Sequence, residues 1–126
     1  MYVFYNPNPA NKRVGDCVVR ALSKVLNMSW DEVAVDLSMQ MIALKDMPSS
    51  DAVWGEYAYL NGFRREILPN TCPNCYTVKD FCIDHPRGCY LLSTTNHVIA
   101  VVDGDYYDTQ DTGNEVPIYY WRKEVA

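Results

Sequence analysis

The segment NKRVGDCVVRAL (residues 11–22) runs from a polar loop into an amphipathic helix, with a cysteine at the junction. Apolar residues recur every three or four positions after it, which predicts a helix over residues 16–26 with one buried stripe and Asp16 as its N-cap. Cys17 then lies where unpaired backbone N–H groups and the helix dipole favour a thiolate. Taken alone, the segment fits equally well a small cysteine packed at a helix start.

Length and composition narrow the classes of protein. A chain of 126 residues forms one domain. The net charge of −5 and the lack of any run of Lys or Arg argue against nucleic acid as the main partner. We expect no membrane span, because no apolar stretch approaches the roughly 20 residues required. The N-terminus lacks the features of a signal peptide, so we expect a cytoplasmic protein whose five cysteines are reduced.

Periodicity and turn signals predict an α+β fold, with N-terminal helices packed on a C-terminal antiparallel sheet. A capping box at Ser29 and Glu32 starts the second helix, and Pro117 favours an edge position or a strand start. Further helices are predicted to begin near residues 50 and 77. Strands are predicted over residues 2–5, 63–68, 90–94, 97–102, 106–108 and 116–121.

His97 stands at the start of the most apolar predicted strand, a position at which a histidine is unusual. If Asp103 and Gly104 form a two-residue hairpin loop, Asp108 lies diagonally across from His97, within reach of its imidazole. A three-residue loop would favour Asp111 instead, and we prefer Asp108 because Asp-Gly is typical of the shorter loop. The structural alternatives are a hydrogen-bonded core histidine and solvated turn acids.

Thiol, imidazole and carboxylate together are the groups that acyl transfer through a covalent intermediate requires. The residue types therefore predict Cys17 as nucleophile, His97 as general acid and base, and Asp108 as the residue that orients the imidazole. The backbone N–H of Cys17 supplies one oxyanion donor, and the side-chain amide of Asn11 is a candidate second donor. The alternative role for Asn11 is to stabilise a turn.

These residues resemble a papain-like cysteine peptidase, in which a cysteine starts an N-terminal helix and histidine and acid follow on a C-terminal sheet. Bacteriocin-processing peptidase domains carry the motif Gln-x4-Asp-Cys. This chain has a similar arrangement, in which Asn11 is followed after four residues by Asp16 and Cys17. The string HVIAVVDG (residues 97–104), followed by Tyr107-Asp108-Thr109, resembles the histidine strand and acid of that family. The resemblance implies one papain-like domain over residues 1–126. It hardly covers residues 27–88.

Two features of the resemblance bear on function. Asparagine replaces glutamine at the oxyanion position, which shortens its reach by one methylene, and the short chain implies an abbreviated cleft. The implied activity is hydrolysis of a peptide or isopeptide bond in a peptide or protein substrate, without a cofactor. The whole chain also resembles small uncharacterised proteins of bacterial mobile elements and phages.

A second constellation competes with the triad. Cys72, Cys75, Cys82 and His85 have a spacing that suits a tetrahedral zinc site. Cys82 fits a helix stripe equally well, and His85 fits a helix end. A redox role for Cys72 and Cys75 is disfavoured because no parallel βαβ pattern surrounds them. The rival functional class is therefore a non-catalytic interaction module, either papain-like or stabilised by zinc.

Overall fold

Local capping signals start two of the helices in the computed structural model, which describes residues 1–124. At the first, the Glu32 backbone N–H donates to Ser29 Oγ and the Ser29 backbone N–H donates to Glu32 Oε1, both at 3.1 Å. Thr77 and Asp80 form a second capping box. The helices are α1 (Cys17–Leu26), α2 (Trp30–Leu44), α3 (Asp51–Leu60) and α4 (Val78–Asp84). None of those described is long and apolar enough to cross a membrane.

Six strands of residues 1–124 form one mixed sheet in the order β1-β5-β4-β3-β6-β2. They are β1 (Tyr2–Phe4), β2 (Phe63–Ile67), β3 (Cys89–Ser93), β4 (Val98–Val102), β5 (Asp105–Asp108) and β6 (Tyr119–Lys123). The α+β class is confirmed, but the prediction of a purely antiparallel sheet is wrong, since β1 pairs parallel with β5. The two strands come from opposite ends of the chain, so no turn between them could have predicted their pairing from the sequence.

The last strand also differs from its prediction. It begins at Tyr119 rather than at residue 116, because Pro117 has no N–H to donate to a ladder and stays outside the strand. The Ile118 N–H instead donates to Ser93 O at 2.8 Å, just before the ladder begins. β6 lies between β3 and β2, so the predicted edge position is wrong.

Alternating side chains of the sheet form two hydrophobic clusters on opposite faces. On one face Leu22 of α1 packs among Leu91, Val98 and Ala100, together with residues of α2 and α3. On the other face Phe81 of α4 packs with strand residues. The side chains contributed there by the sheet are Leu92, Ile99, Val101 and Tyr106. α1 is therefore fixed against the middle of the sheet, which determines where its first residue lies.

We predict that Leu22→Ala destabilises the fold by about 2–5 kcal/mol, because it removes a fully buried side chain that its neighbours cannot replace. Urea unfolding followed by circular dichroism measures this change. Leu60→Ala is the matched control, because Leu60 is 61% exposed and its truncation leaves no cavity. Equal losses in the two variants would contradict the packing of α1 on the sheet.

Candidate active site

Cys17 is the first residue of α1 and is half-buried, so its thiol lies at the N-terminus of the helix. Asp16 is the N-cap residue, but its side chain makes no capping hydrogen bond to the helix. Its carboxylate instead accepts from Arg20 Nη1 at 2.6 Å and from Trp30 Nε1 at 2.9 Å. No capping carboxylate therefore competes for the first backbone N–H groups of α1, which remain available to an oxyanion.

The hairpin between β4 and β5 has the predicted two-residue loop. Asp103 and Gly104 both have positive φ, 49° and 81°, as the turn that matches strand twist requires. Val102 pairs with Asp105, which is the predicted register. In this register His97, one residue before β4, lies beside the end of β5.

Asp108 rather than Asp111 contacts the imidazole. The distance from His97 Nε2 to Asp108 Oδ2 is 2.6 Å. Asp111 points elsewhere, since it accepts from the Tyr106 hydroxyl and from the Gly113 N–H. With Nε2 used by Asp108, Nδ1 is the ring nitrogen left for the thiol of Cys17.

The Asp108 carboxylate is almost fully buried and accepts from four donors. Oδ2 accepts from His97 and, at 3.2 Å, from the Thr112 hydroxyl. Oδ1 accepts from Arg20 Nη2 at 3.0 Å and from the Thr109 N–H at 2.7 Å. Such a set of donors stabilises the ionised carboxylate and fixes its orientation.

Arg20 joins the helix that begins at Cys17 to Asp108. Its guanidinium, with 6% of the side chain exposed, bridges Asp16 on one side and Asp108 on the other. Asp16 adjoins Cys17 and Asp108 contacts His97, so this one cation connects the surroundings of both side chains. A buried charge with two partners is tolerated only when both remain in place.

The pKa values of the three side chains are shifted in directions that favour an ion pair. Burial works to raise the pKa of Cys17, but hydrogen bonds from His97 and the Val98 backbone outweigh it and lower that pKa below its ordinary value. Hydrogen bonds with Asp108 and Cys17 raise the pKa of His97 to about 10. Burial works to raise the pKa of Asp108 too, and its hydrogen bond with His97 overcomes this and lowers it. All three shifts therefore act towards the charged forms, thiolate, imidazolium and carboxylate.

A cleft of about 350 Å³ opens beside Cys17 and His97. Its wall includes Trp54 and Tyr119, together with the loop that precedes β4. Asn96 belongs to that loop and is the only side-chain amide among the residues of the cleft. A smaller cavity of about 250 Å³ is also lined by Cys17, and it shares Val18 and Ser49 with the cleft. Cys17 thus contributes to the walls of two neighbouring cavities.

Asn11 is not brought to the cleft. Its side chain is exposed, its φ is 57°, and it lines neither of the two cavities beside Cys17. Its backbone N–H donates to Asn8 O at 2.9 Å. This is the turn role that the sequence left open for it.

The four candidate zinc ligands are not gathered in the structure. Cys72 and Cys75 form a disulfide, so the prediction that all five cysteines are reduced is wrong for this pair. In the same turn Thr71 Oγ1 donates to Asn74 O. Cys82 is buried in α4, and the His85 ring stacks on Phe81. Within residues 1–124 no three His, Cys, Asp or Glu side chains are grouped to hold a metal ion.

Comparisons with known proteins add nothing to this geometry. No protein-family model matches the chain, and no curated protein or solved structure shows significant similarity to it.

Sequence reasoning overlooked the residues that hold the triad. Arg20 follows Asp16 by four positions, a spacing typical of a helical ion pair, and it lies beside the apolar stripe of α1. A charged residue at the edge of a buried stripe was the available signal. Thr112 and Trp30 carry no such signal. Thr112 is only four residues from Asp108, but no helix or strand pattern relates the two positions, and Trp30 of α2 contacts an acid fourteen residues earlier.

We predict that Arg20→Met lowers the free energy of unfolding by about 3–5 kcal/mol, because it leaves Asp16 and Asp108 buried without their cation. Arg122→Met is the matched control, since Arg122 is 41% exposed in its pair with Glu66 and its loss should change stability little. Urea unfolding measures both variants. Indistinguishable stabilities would show that the Arg20 bridge contributes nothing.

We also predict that the imidazole of His97 titrates well above ~6.5 in a Cys17→Ala variant, because Asp108 still holds its charged form. Asp108→Asn should return the pKa towards the ordinary range. In the unmodified chain folding raises the pKa of His97 to about 10, so the stabilisation from His97 is complete below about pH 6.5 and is lost as the pH rises towards 10. Proton NMR of the two histidine rings, assigned with His85→Ala, measures the titration. An unshifted His97 would contradict the bond to Asp108.

Proposed function

We propose that the chain is a papain-like thiol hydrolase that cleaves a peptide or isopeptide bond. The observation that carries the proposal is the 2.6 Å contact between His97 Nε2 and Asp108 Oδ2 beside a cysteine whose pKa is lowered. A helix that begins at the nucleophile and packs on the sheet bearing the histidine and acid supports a papain-like arrangement. Comparisons with known proteins contribute nothing to this assignment.

In the proposed reaction the thiolate of Cys17 adds to the scissile carbonyl, and the C=O electron pair moves onto oxygen. The backbone N–H groups at the start of α1 stabilise that oxyanion, since no side chain caps them. The imidazolium of His97 gives its Nδ1 proton to the leaving amine as the C–N bond breaks. A water molecule, deprotonated by His97, then hydrolyses the thioester and releases the thiol. The chemistry requires no cofactor.

Asp108 has a positioning role in this proposal. It accepts the Nε2 proton of His97 and so directs Nδ1 towards the thiol, while its negative charge stabilises the imidazolium. Arg20 and Thr112 fix Asp108 from the other side. The imidazole is thus oriented before substrate binds, and such preorganisation favours acyl transfer.

We predict that iodoacetamide alkylates Cys17 at pH values below the ordinary thiol pKa of ~8.5, because His97 lowers the pKa of this thiol. His97→Ala should move the reactive range to or above ~8.5, because burial then acts without the opposing hydrogen bond. Peptide mass mapping across pH measures the rate at each thiol. His85→Ala is the matched control, and Cys89, whose pKa burial raises, is an internal reference. An ordinary Cys17 that His97→Ala leaves unchanged would exclude the proposed dyad.

One observation favours the rival class, a non-catalytic interaction module. α2 exposes an apolar row in which Val35, Met39 and Ile42 are each about 60% exposed, and such exposed rows are common at protein contacts. The two classes differ in the covalent intermediate. A thioester adduct on Cys17, sought by mass spectrometry after exposure to a broad peptide library, identifies a hydrolase. A reactive Cys17 that forms no adduct and releases no product identifies the rival.

A further inference from the structure

Asp51 is the one charged residue, apart from the proposed catalytic pair, that lines the cleft beside Cys17 in residues 1–124. The remaining lining is neutral. It consists of small hydroxyl side chains, one amide, and aromatic and aliphatic surface. No Lys or Arg of the described chain lines this cleft or the smaller cavity that also includes Cys17. Besides the Cys17 and His97 pair, the cleft therefore presents one charge, the Asp51 carboxylate.

Two buried aromatic side chains hold that carboxylate in a fixed orientation. Trp54 Nε1 donates to Asp51 Oδ1 at 3.1 Å, and the Tyr119 hydroxyl donates to Asp51 Oδ2 at 2.9 Å. Trp54 is fully buried and Tyr119 is 8% exposed, so both donors belong to the core. Each carboxylate oxygen keeps a lone pair for a further donor.

Asp51 has no cationic partner of its own. Among the described residues no Lys, Arg or His nitrogen lies within salt-bridge distance of its carboxylate. The Arg65 guanidinium stacks on the Tyr119 ring instead, 4.1 Å from the ring centroid. Asp16, the acid of the smaller cavity, differs in being neutralised by Arg20. Asp51 is thus the unpaired anion of the site.

We propose that Asp51 determines specificity, selecting substrates that carry a positively charged group, an ammonium or a guanidinium, near the scissile bond. This inference rests on the proposed function, because it assigns the substrate class of the same cleft. A cation there gains a charge-assisted hydrogen bond to a carboxylate that is already oriented. An acidic substrate meets repulsion from Asp51 in a cleft whose described lining holds no Lys or Arg.

Charged thiol reagents test the proposal without a known substrate. The probes are methanethiosulfonates that bear a trimethylammonium, a neutral methyl or a sulfonate group. In each the Cys17 thiolate attacks the divalent sulfur, forms a mixed disulfide and expels methanesulfinate. Peptide mass mapping at low ionic strength gives the rate at Cys17 for each reagent. The measured quantity is the ratio of the cationic to the anionic rate.

We predict that Asp51→Asn lowers this ratio at least about threefold, as expected when one unit charge a few ångströms away is removed. Asp51→Glu, which keeps the charge, should retain most of the preference. Glu56→Gln is the matched control, because it removes one negative charge from an exposed position of the same helix. About 1 M salt should reduce the preference by screening.

Three results would overturn the proposal. They are an unchanged ratio in Asp51→Asn, an equal fall in Glu56→Gln, and an equal fall in Asp51→Glu. The neutral reagent separates this failure from failure of the proposed function. A pH profile with the neutral reagent that depends on His97, combined with an unchanged charge ratio, rejects only the specificity. A profile that does not depend on His97 rejects the proposed hydrolase.

Discussion

The buried guanidinium of Arg20 is the constraint on which the site depends. It lies between Asp16 and Asp108 and contacts both at 3.0 Å or less. Asp16 precedes the candidate nucleophile and Asp108 holds the candidate base, so the cation fixes the distance between two parts of the chain that share no local sequence signal. Removing water from three charged groups is costly, and their mutual attraction offsets that cost only while the geometry is kept. The energy therefore favours one relative position of α1 and β5.

The same interaction explains an unusual helix start. An aspartate at the N-cap normally stabilises a helix by accepting a backbone N–H bond. Here both oxygens of Asp16 are occupied by Arg20 and Trp30, and the first turn of α1 forgoes that stabilisation. Packing of Leu22 and its neighbours on the sheet makes up for the loss. The cost in helix stability leaves polarised N–H groups beside Cys17, where a developing negative charge would be bound.

Local signals predicted the parts of the structure that are local in the chain. The Asp103-Gly104 loop gave the register, and the register placed Asp108 against His97. The capping box gave the start of α2. The pairing of β1 with β5 and the contact of Arg20 with Asp108 join distant parts of the chain, so periodicity and turn chemistry do not predict them, whereas the pair of Arg20 with Asp16 has a local helical spacing. Asn11 was placed by spacing alone, and spacing does not determine where a loop side chain points.

Eighty positions of sequence separate Cys17 from His97, and this separation governs when the thiol acquires its character. In the unfolded or partly synthesised chain the pKa of Cys17 has its ordinary value, because His97 and Asp108 are not yet beside the thiol. The hairpin that carries His97 and Asp108 forms from neighbouring residues, but its docking against α1 completes the ion pair. A nascent chain therefore carries a latent nucleophile, and Cys17 acquires its lowered pKa only in the finished fold.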